Sequence, residues 1–159
     1  VIMKIKLLSE GAKMPTRADE QSAGYDLYVP KDTIIYPGRQ VISLDLNMEI
    51  TPGWEGNVRP RSGFSSKGME AYKVDSNNNK IGDLLRIDAD VLEGTVDASY
   101  RGIVGVIVNN HCSECYLIEK GTRIAQIVFE KCYQGPLEEV TELSSTERGE
   151  GGFGHSGSK

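Results

Sequence analysis

Short apolar runs that alternate with polar residues, cut repeatedly by glycine, proline or asparagine, leave this chain little choice of fold. The runs "MKIKLL" (3–8), "GYDLYV" (24–29), "DTIIY" (32–36), "QVISLDLNMEI" (40–50), "GIVGVIVN" (102–109) and "RIAQIVFEK" (123–131) are rich in Val, Ile, Leu and Tyr. A period of two buries one face of an extended strand and leaves the other in water. Pro37-Gly38, Pro52-Gly53, Asn109-Asn110 and Lys120-Gly121 supply turn residues between them. No helical period persists, although "SGFSSKGMEAY" has room for one short helix. Many short strands so punctuated predict an all-β sandwich or barrel.

The chain has 159 residues, 38% of them apolar, enough for one domain with a real core. Its net charge of −5 comes from acids and bases mixed along the chain, with no basic stripe for nucleic acid. A nucleotide asks for less, since a local arginine cluster and a metal ion suffice for its phosphates. No run suits a membrane span, and "VIMKIKLLSEG" lacks the layout of a secretion signal. Cys112, Cys115 and Cys132 are expected as reduced thiols of a cytoplasmic protein, or a nuclear one in a eukaryote or its virus. "HCSEC" sets Cys112 and Cys115 beside His111, a spacing zinc can use, but structural zinc needs a second close pair and Cys132 stands alone. A polar hairpin turn is the simpler expectation.

Four stretches carry chemistry. "RPRSGFSS" (59–66) offers guanidinium forks, hydroxyls and backbone amides to an anion, and reads equally as a surface turn into a short helix. "VLEGTVDASYRGIVGV" (91–106) puts Asp97 at the mouth of a turn beside Tyr100, suited to a base-and-sugar pocket or to an ordinary packed turn. "GTRIAQIVF" (121–129) places Arg123 and Gln126 on a strand. "RGEGGFGHSG" (148–157) has too little apolar surface to hold a shape, yet carries Phe153 in its middle. Such a segment is a frayed end or one that orders around a ligand.

With "AGYDLY" (23–28), these stretches match in order the five motifs of the trimeric dUTPase family, and the chain resembles that family from Lys4 to Gly157. The resemblance implies a distorted jelly-roll β-barrel subunit and a homotrimer with three shared active sites. It implies hydrolysis of dUTP to dUMP and pyrophosphate, which limits uracil in DNA and supplies dUMP for thymidylate synthesis. Mg²⁺ would sit on the triphosphate and its water, with no direct protein ligand. Arg61, Ser62, Gly63 and Gln126 would bind phosphates, with Asp26 and Arg123 supporting the site. Asp97 would activate the attacking water, Gly94 and Val96 would line the substrate pocket, and Tyr100 would pack on deoxyribose, where a ribose 2′-hydroxyl collides. Arg148 would reach the γ-phosphate, Phe153 would cover the uracil, and Gly154 and Ser156 would complete the phosphate wrap. The expected organisation is a barrel over 1–143 and a glycine-rich lid over 144–159 that caps another subunit's site.

Two features depart from the family pattern. His155 stands where the family carries a small hydroxyl residue, so its ring is expected either to donate an N–H in place of that hydroxyl or to point to solvent, the latter preferred. Residues 69–92 form an extra segment, in which Asp75, Asn77 and Asn79 alternate like the start of a calcium loop. Lys80 and Arg86 occupy the positions where such a loop needs glycine and glutamate, so calcium is excluded and a hairpin between "AYKVD" and "LLRID" is expected. Two other functions fit the same resemblance: a dCTP deaminase or bifunctional deaminase–dUTPase, and a regulatory protein that binds a partner on this scaffold. "TVDASYRG" and the Phe-containing tail speak against the first, and the intact motif set against the second.

Overall fold

Alternation in sequence becomes alternation of burial. In the computed structural model, which describes residues 1–158, Ile42, Leu44, Leu46 and Met48 enter the core from one face of β4 (Gly38–Glu49), while Val41, Ser43 and Glu49 stay exposed. β10 (Ile103–Asn110) repeats the pattern with Val104, Val106 and Val108. Three antiparallel sheets of four strands share this core. The first orders β1 (Lys4–Leu7), β4, β10 and β8 (Ala89–Leu92). The second orders β3 (Thr33–Ile35), β11 (Tyr116–Ile118), β6 (Met69–Val74) and β7 (Lys80–Ile87). The third orders β2 (Gly24–Tyr28), β12 (Arg123–Lys131), β5 (Trp54–Arg59) and β9 (Gly94–Val96). A single short helix, α1 (Ser62–Lys67), follows β5 and buries Phe64. Among the described residues no helix is long and apolar enough to cross a membrane.

Gly38, Gly53 and Gly121 take φ of 90°, 89° and 84°, the left-handed conformation that a turn glycine permits and a side chain resists. Asn109-Asn110 behaves differently: both residues lie within β10, and the bend comes at 111–115. Asn110 is buried, donates from Nδ2 to Glu114 O (2.9 Å) and accepts the Cys112 amide at Oδ1 (2.9 Å), so its side chain shapes the bend that follows. That bend is not the hairpin turn expected of "HCSEC", because β10 and β11 belong to different sheets.

The segment after α1 is a hairpin. Met69 pairs with Ile87 and Val74 with Lys80, with a bulge in β7 opposite Ala71–Lys73 and Gly82 at φ 72°. Asp75 explains the acid-and-amide alternation at the tip: its Oδ1 accepts the amides of Asn77 and Asn79, both at 2.9 Å. The pattern of a calcium loop is here the pattern of an Asx turn.

Those amides, Asn79's foremost, hold the Asp75 carboxyl below its ordinary value. A carboxylate lowered by folding stabilises the fold above its unfolded pKa, and that contribution is lost as pH falls through the folded one. Asp75→Ala should therefore speed amide exchange at Asn77 and Asn79 at neutral pH and abolish the extra loss of protection that the parent shows on acidification. Equal exchange in both proteins across that range would remove Asp75 as the organiser of the tip.

Candidate active site

β5 runs through the middle of the candidate site because it pairs with β12 on one side and β9 on the other. At its far end, Asp26 of β2 stands opposite Gln126 of β12, and Gln126 opposite Arg59 of β5. Directly paired residues share a sheet face. Arg61, just beyond β5, reaches back over this row: its Nε is 3.1 Å from Asp26 Oδ1 and its Nη1 donates to Arg123 O at 3.4 Å. Arg123 Nη1 lies 3.7 Å from the other Asp26 oxygen. One carboxylate, 18% exposed, thus orients two guanidiniums and leaves a net positive charge facing outward.

Gln126 secures the turn into α1 by donating from Nε2 to Pro60 O at 3.0 Å. Gly24 makes this possible, since a Cβ there would fall 2.0 Å from Gln126 Oε1. Ser62 and Gly63 open the helix, and a Cβ on Gly63 would meet nothing within 4 Å. The backbone at this turn is open to solvent.

β9 pairs along the middle of the same strand, from Val58 back to Gly56. Gly56 of β5 pairs with Val96 and Val58 with Gly94, so the chain emerges from β9 towards the start of β5. Val96 is buried, and only its backbone can face a ligand. β9 is the edge of its sheet, which leaves backbone donors and acceptors along Gly94–Val96 without strand partners on the outer side. Exposed Asp97 follows, in an open cleft with Pro52, Ala98, Ser99, Arg101 and Gln134. Tyr100 closes the turn with its amide on Asp97 O (3.0 Å) and bonds Ile103 O through its hydroxyl (2.9 Å).

These two ends do not meet. Continuing the β5–β9 register sets Asp97 opposite Glu55, and at about 3.3 Å per residue the run to Arg59, in the row over which Arg61 reaches, is roughly 13 Å. The glycine-rich end of the chain meets neither. Its last tie to the sheets is Gly53 N donating to Gln134 Oε1 at 2.8 Å, and among the described residues no hydrogen bond joins 137–158 to them. There Arg148 bonds Gly151 O at 2.7 Å, the His155 ring lies over Gly151, and exposed Phe153 has φ of 48°. His155 is exposed as a residue, with its ring folded back on its own segment. Gly154 and Ser156 border a hollow with Glu147 and Arg148.

At the cysteine bend, His111 Nε2 pairs with Asp90 Oδ2 at 2.7 Å and Cys112 Sγ contacts Asp88 O at 3.7 Å. Among the described residues no three His, Cys, Asp or Glu side chains come close enough to hold a metal ion. Residues that the sequence reading passed over also shape the site. Gly24 and Pro60 seat Gln126, and Arg101, Asn47 and Glu49 gather behind the Asp97 turn. Gly24, Pro60 and Arg101 lie inside the quoted motifs, whereas Asn47 and Glu49 lie only in a strand run.

Gly102 gives the Tyr100 ring its seat, since a Cβ there would fall 2.4 Å from the Tyr100 hydroxyl. Gly102→Ala should swing the half-exposed ring outward and break its bond to Ile103 O, at a cost of about 1 kcal/mol, the net worth of one hydrogen bond. An unmoved ring in a crystal structure of the variant would refute this.

The chain matches the dUTPase family model over residues 10–78 and 86–157, leaving out only part of the β6–β7 hairpin in between. It is 38% identical over 157 residues to the deoxyuridine 5'-triphosphate nucleotidohydrolase of Clostridium tetani, covering 98% of this chain and 96% of that one. Among solved structures it superposes with a TM-score of 0.79 on the dUTPase of Staphylococcus bacteriophage 80alpha with dUpNHpp, at 30% identity over 98% of both chains. A mutant dUTPase of phage phi11 of S. aureus, whose structure carries a structural Mg(II) ion, matches with a TM-score of 0.73 at 25% identity over 90% of this chain and 99% of that one. With ordered motifs and match both running nearly end to end, the chain belongs to the dUTPase family.

Proposed function

We propose that this dUTP nucleotidohydrolase cuts dUTP to dUMP and pyrophosphate in a homotrimer of jelly-roll subunits, each site assembled from more than one chain. The observation that carries the reading is the separation within one chain of the Arg61–Asp26–Arg123 cluster from Asp97. Phosphate groups and a water-activating acid must work within a few ångströms of one another. A neighbouring copy that brings its Asp97 turn to this chain's arginines meets that need, and the unattached segment 137–158 can reach a third.

Within such a site each group has a task set by its surroundings. Arg61 and the backbone at Ser62 and Gly63 hold phosphates, and Gln126 keeps their turn in place. Asp26 and Arg123 keep Arg61 aimed. Asp97, open to solvent, takes the proton of the attacking water. The free edge at Gly94 and Val96 offers fixed N–H and C=O groups to uracil, and a base with the donors reversed leaves buried groups unpaired, a penalty of up to about 10⁴–10⁵ in selectivity. Tyr100 lies against the deoxyribose. Arg148 neutralises the γ-phosphate, Gly154 and Ser156 wrap it, and Phe153 stacks on the base for about 1–3 kcal/mol.

Mg²⁺ fits this donor set as an ion carried by the substrate. Asp26 is the acid nearest the arginines and is already engaged by both, so it suits water-mediated contact better than direct ligation. When bound, Mg²⁺ neutralises charge on the triphosphate. The wider role follows from the reaction: less dUTP for DNA synthesis and more dUMP for thymidylate.

Asp97→Asn keeps shape but cannot accept a proton, so turnover should fall by about 10²–10⁴ with substrate still bound. Arg61→Ala should be inactive as well, and refolding the two variants together should restore pyrophosphate release by building sites that contain neither change. If the mixture stays as inactive as its components, each site lies within one chain. Ammonia release from dCTP would instead favour the deaminase.

Ending the chain after Leu143 removes nothing that bonds to the barrel. That variant should assemble normally and lose about 10²-fold or more in turnover, the scale of losing positioned charge donors. Full turnover in the shortened protein would show that the segment has no part in closing the site.

A further inference from the structure

The turn that presents Asp97 is short, exposed and closed by one backbone hydrogen bond, Tyr100 N to Asp97 O. Of its side chains, only Ala98 packs against the core. Left to itself such a turn would rock, and its carboxylate with it. A carboxylate that must meet a water lined up on phosphorus cannot drift, since a displacement of about 1 Å costs on the order of 10²-fold in rate.

Arg101 supplies what the turn lacks. Its Nη1 donates to two carbonyls of the turn, Ala98 O at 2.6 Å and Tyr100 O at 3.1 Å. Its Nη2 lies 3.8 Å from Glu49 Oε1 on β4, and its own carbonyl accepts from Asn47 Nδ2 at 2.9 Å. Asn47 and Glu49 are two apart on one strand and so stand on one face. Glu49 is itself fixed by Lys4 of β1, 2.9 Å away and directly opposite in register. Both ends of Arg101 are therefore tied to a paired strand, and its fork grips the turn from behind. A lysine ammonium, a single point charge, cannot reproduce a planar fork that spans two carbonyls and a carboxylate.

We infer that Arg101 is a positioning residue for the hydrolysis, bracing the Asp97 turn against Asn47 and Glu49 so that the carboxylate meets the attacking water. The inference rests on the reading of Asp97 given above. A brace differs from a structural pillar. These groups are exposed and exposed ion pairs add little to stability, so losing Arg101 should loosen the turn without unfolding the barrel.

The test uses the assembled protein, with Asp97→Asn measured beside it. Arg101→Ala should lower kcat for dUTP by about 10- to 100-fold, in line with a small displacement of a catalytic group. Affinity for the imido analogue dUpNHpp and the melting temperature should stay close to the parent's. Guanidinium ion at millimolar concentration should recover part of the lost kcat, and Arg101→Lys should recover little. Should Arg101→Ala fail to assemble, Glu49→Gln, which removes one arm, should give a smaller fall in kcat, again without loss of analogue binding. Parental kcat in the variant used would overturn the inference. So would a fall matched by lost analogue binding and untouched by guanidinium, which marks general damage. If Asp97→Asn is itself fully active, the reading of Asp97 fails and this one with it. If Asp97→Asn is inactive while Arg101→Ala is normal, the bracing role alone fails.

Discussion

The register of β5 against its two neighbours governs most of what this molecule can do. Pairing with β12 collects Asp26, Gln126 and Arg59 in one row, and pairing with β9 sends Asp97 the opposite way. Slipping either pairing by one residue would turn every side chain to the other face. Core packing makes that slip costly. A Cβ on Gly56 would lie 2.9 Å from Ile127 Cδ1 and 3.0 Å from Ile50 Cδ1, so the glycine marks where β5 sits closest to the core. A register set by close packing thus keeps the arginine row and Asp97 apart within a chain. On the reading proposed above, the same distance would give association a catalytic role, with a second copy bringing the two together.

Much of the fold was legible because alternation is local. Each of the runs at 3–8, 24–29, 32–36, 40–50, 102–109 and 123–131 overlaps an observed strand. What escaped depends on distant partners. β5, "WEGNVR", carries a glycine that propensity counts against a strand, and only contact with Ile127 and Ile50 explains it. Asn109-Asn110 looked like a turn from composition, but Asn110 turns its amide inward and shapes the bend beyond it. The cysteine bend looked like a hairpin because sequence does not reveal that its flanking strands join different sheets.

For the candidate site, the ordered motifs singled out residues and the structure shows how they are grouped. Arg61, Asp26 and Arg123 come together from widely spaced parts of the chain. Asp97 and the segment with Arg148 and Phe153 stand elsewhere. The supporting contacts had no sequence signature. Asn47 is an ordinary polar residue on a strand until the fold sets it beneath Arg101, and Gly24 an ordinary strand glycine until Gln126 lies across it.

The β6–β7 hairpin leaves β7 as the outermost strand of its sheet, with one row of backbone groups facing outward. An assembly carrying several such edges could propagate strand to strand into open filaments, a hazard for any symmetric protein with free margins. This margin is blunted. Gly82 and the bulge interrupt its line, and Lys80, Asp83 and Arg86 place charges of both signs along it. Lys80 and Arg86 are held there by Glu119 and Glu70, at 2.9 Å and 2.6 Å. The hairpin can therefore lengthen the sheet while its charged, interrupted rim resists pairing with a like neighbour.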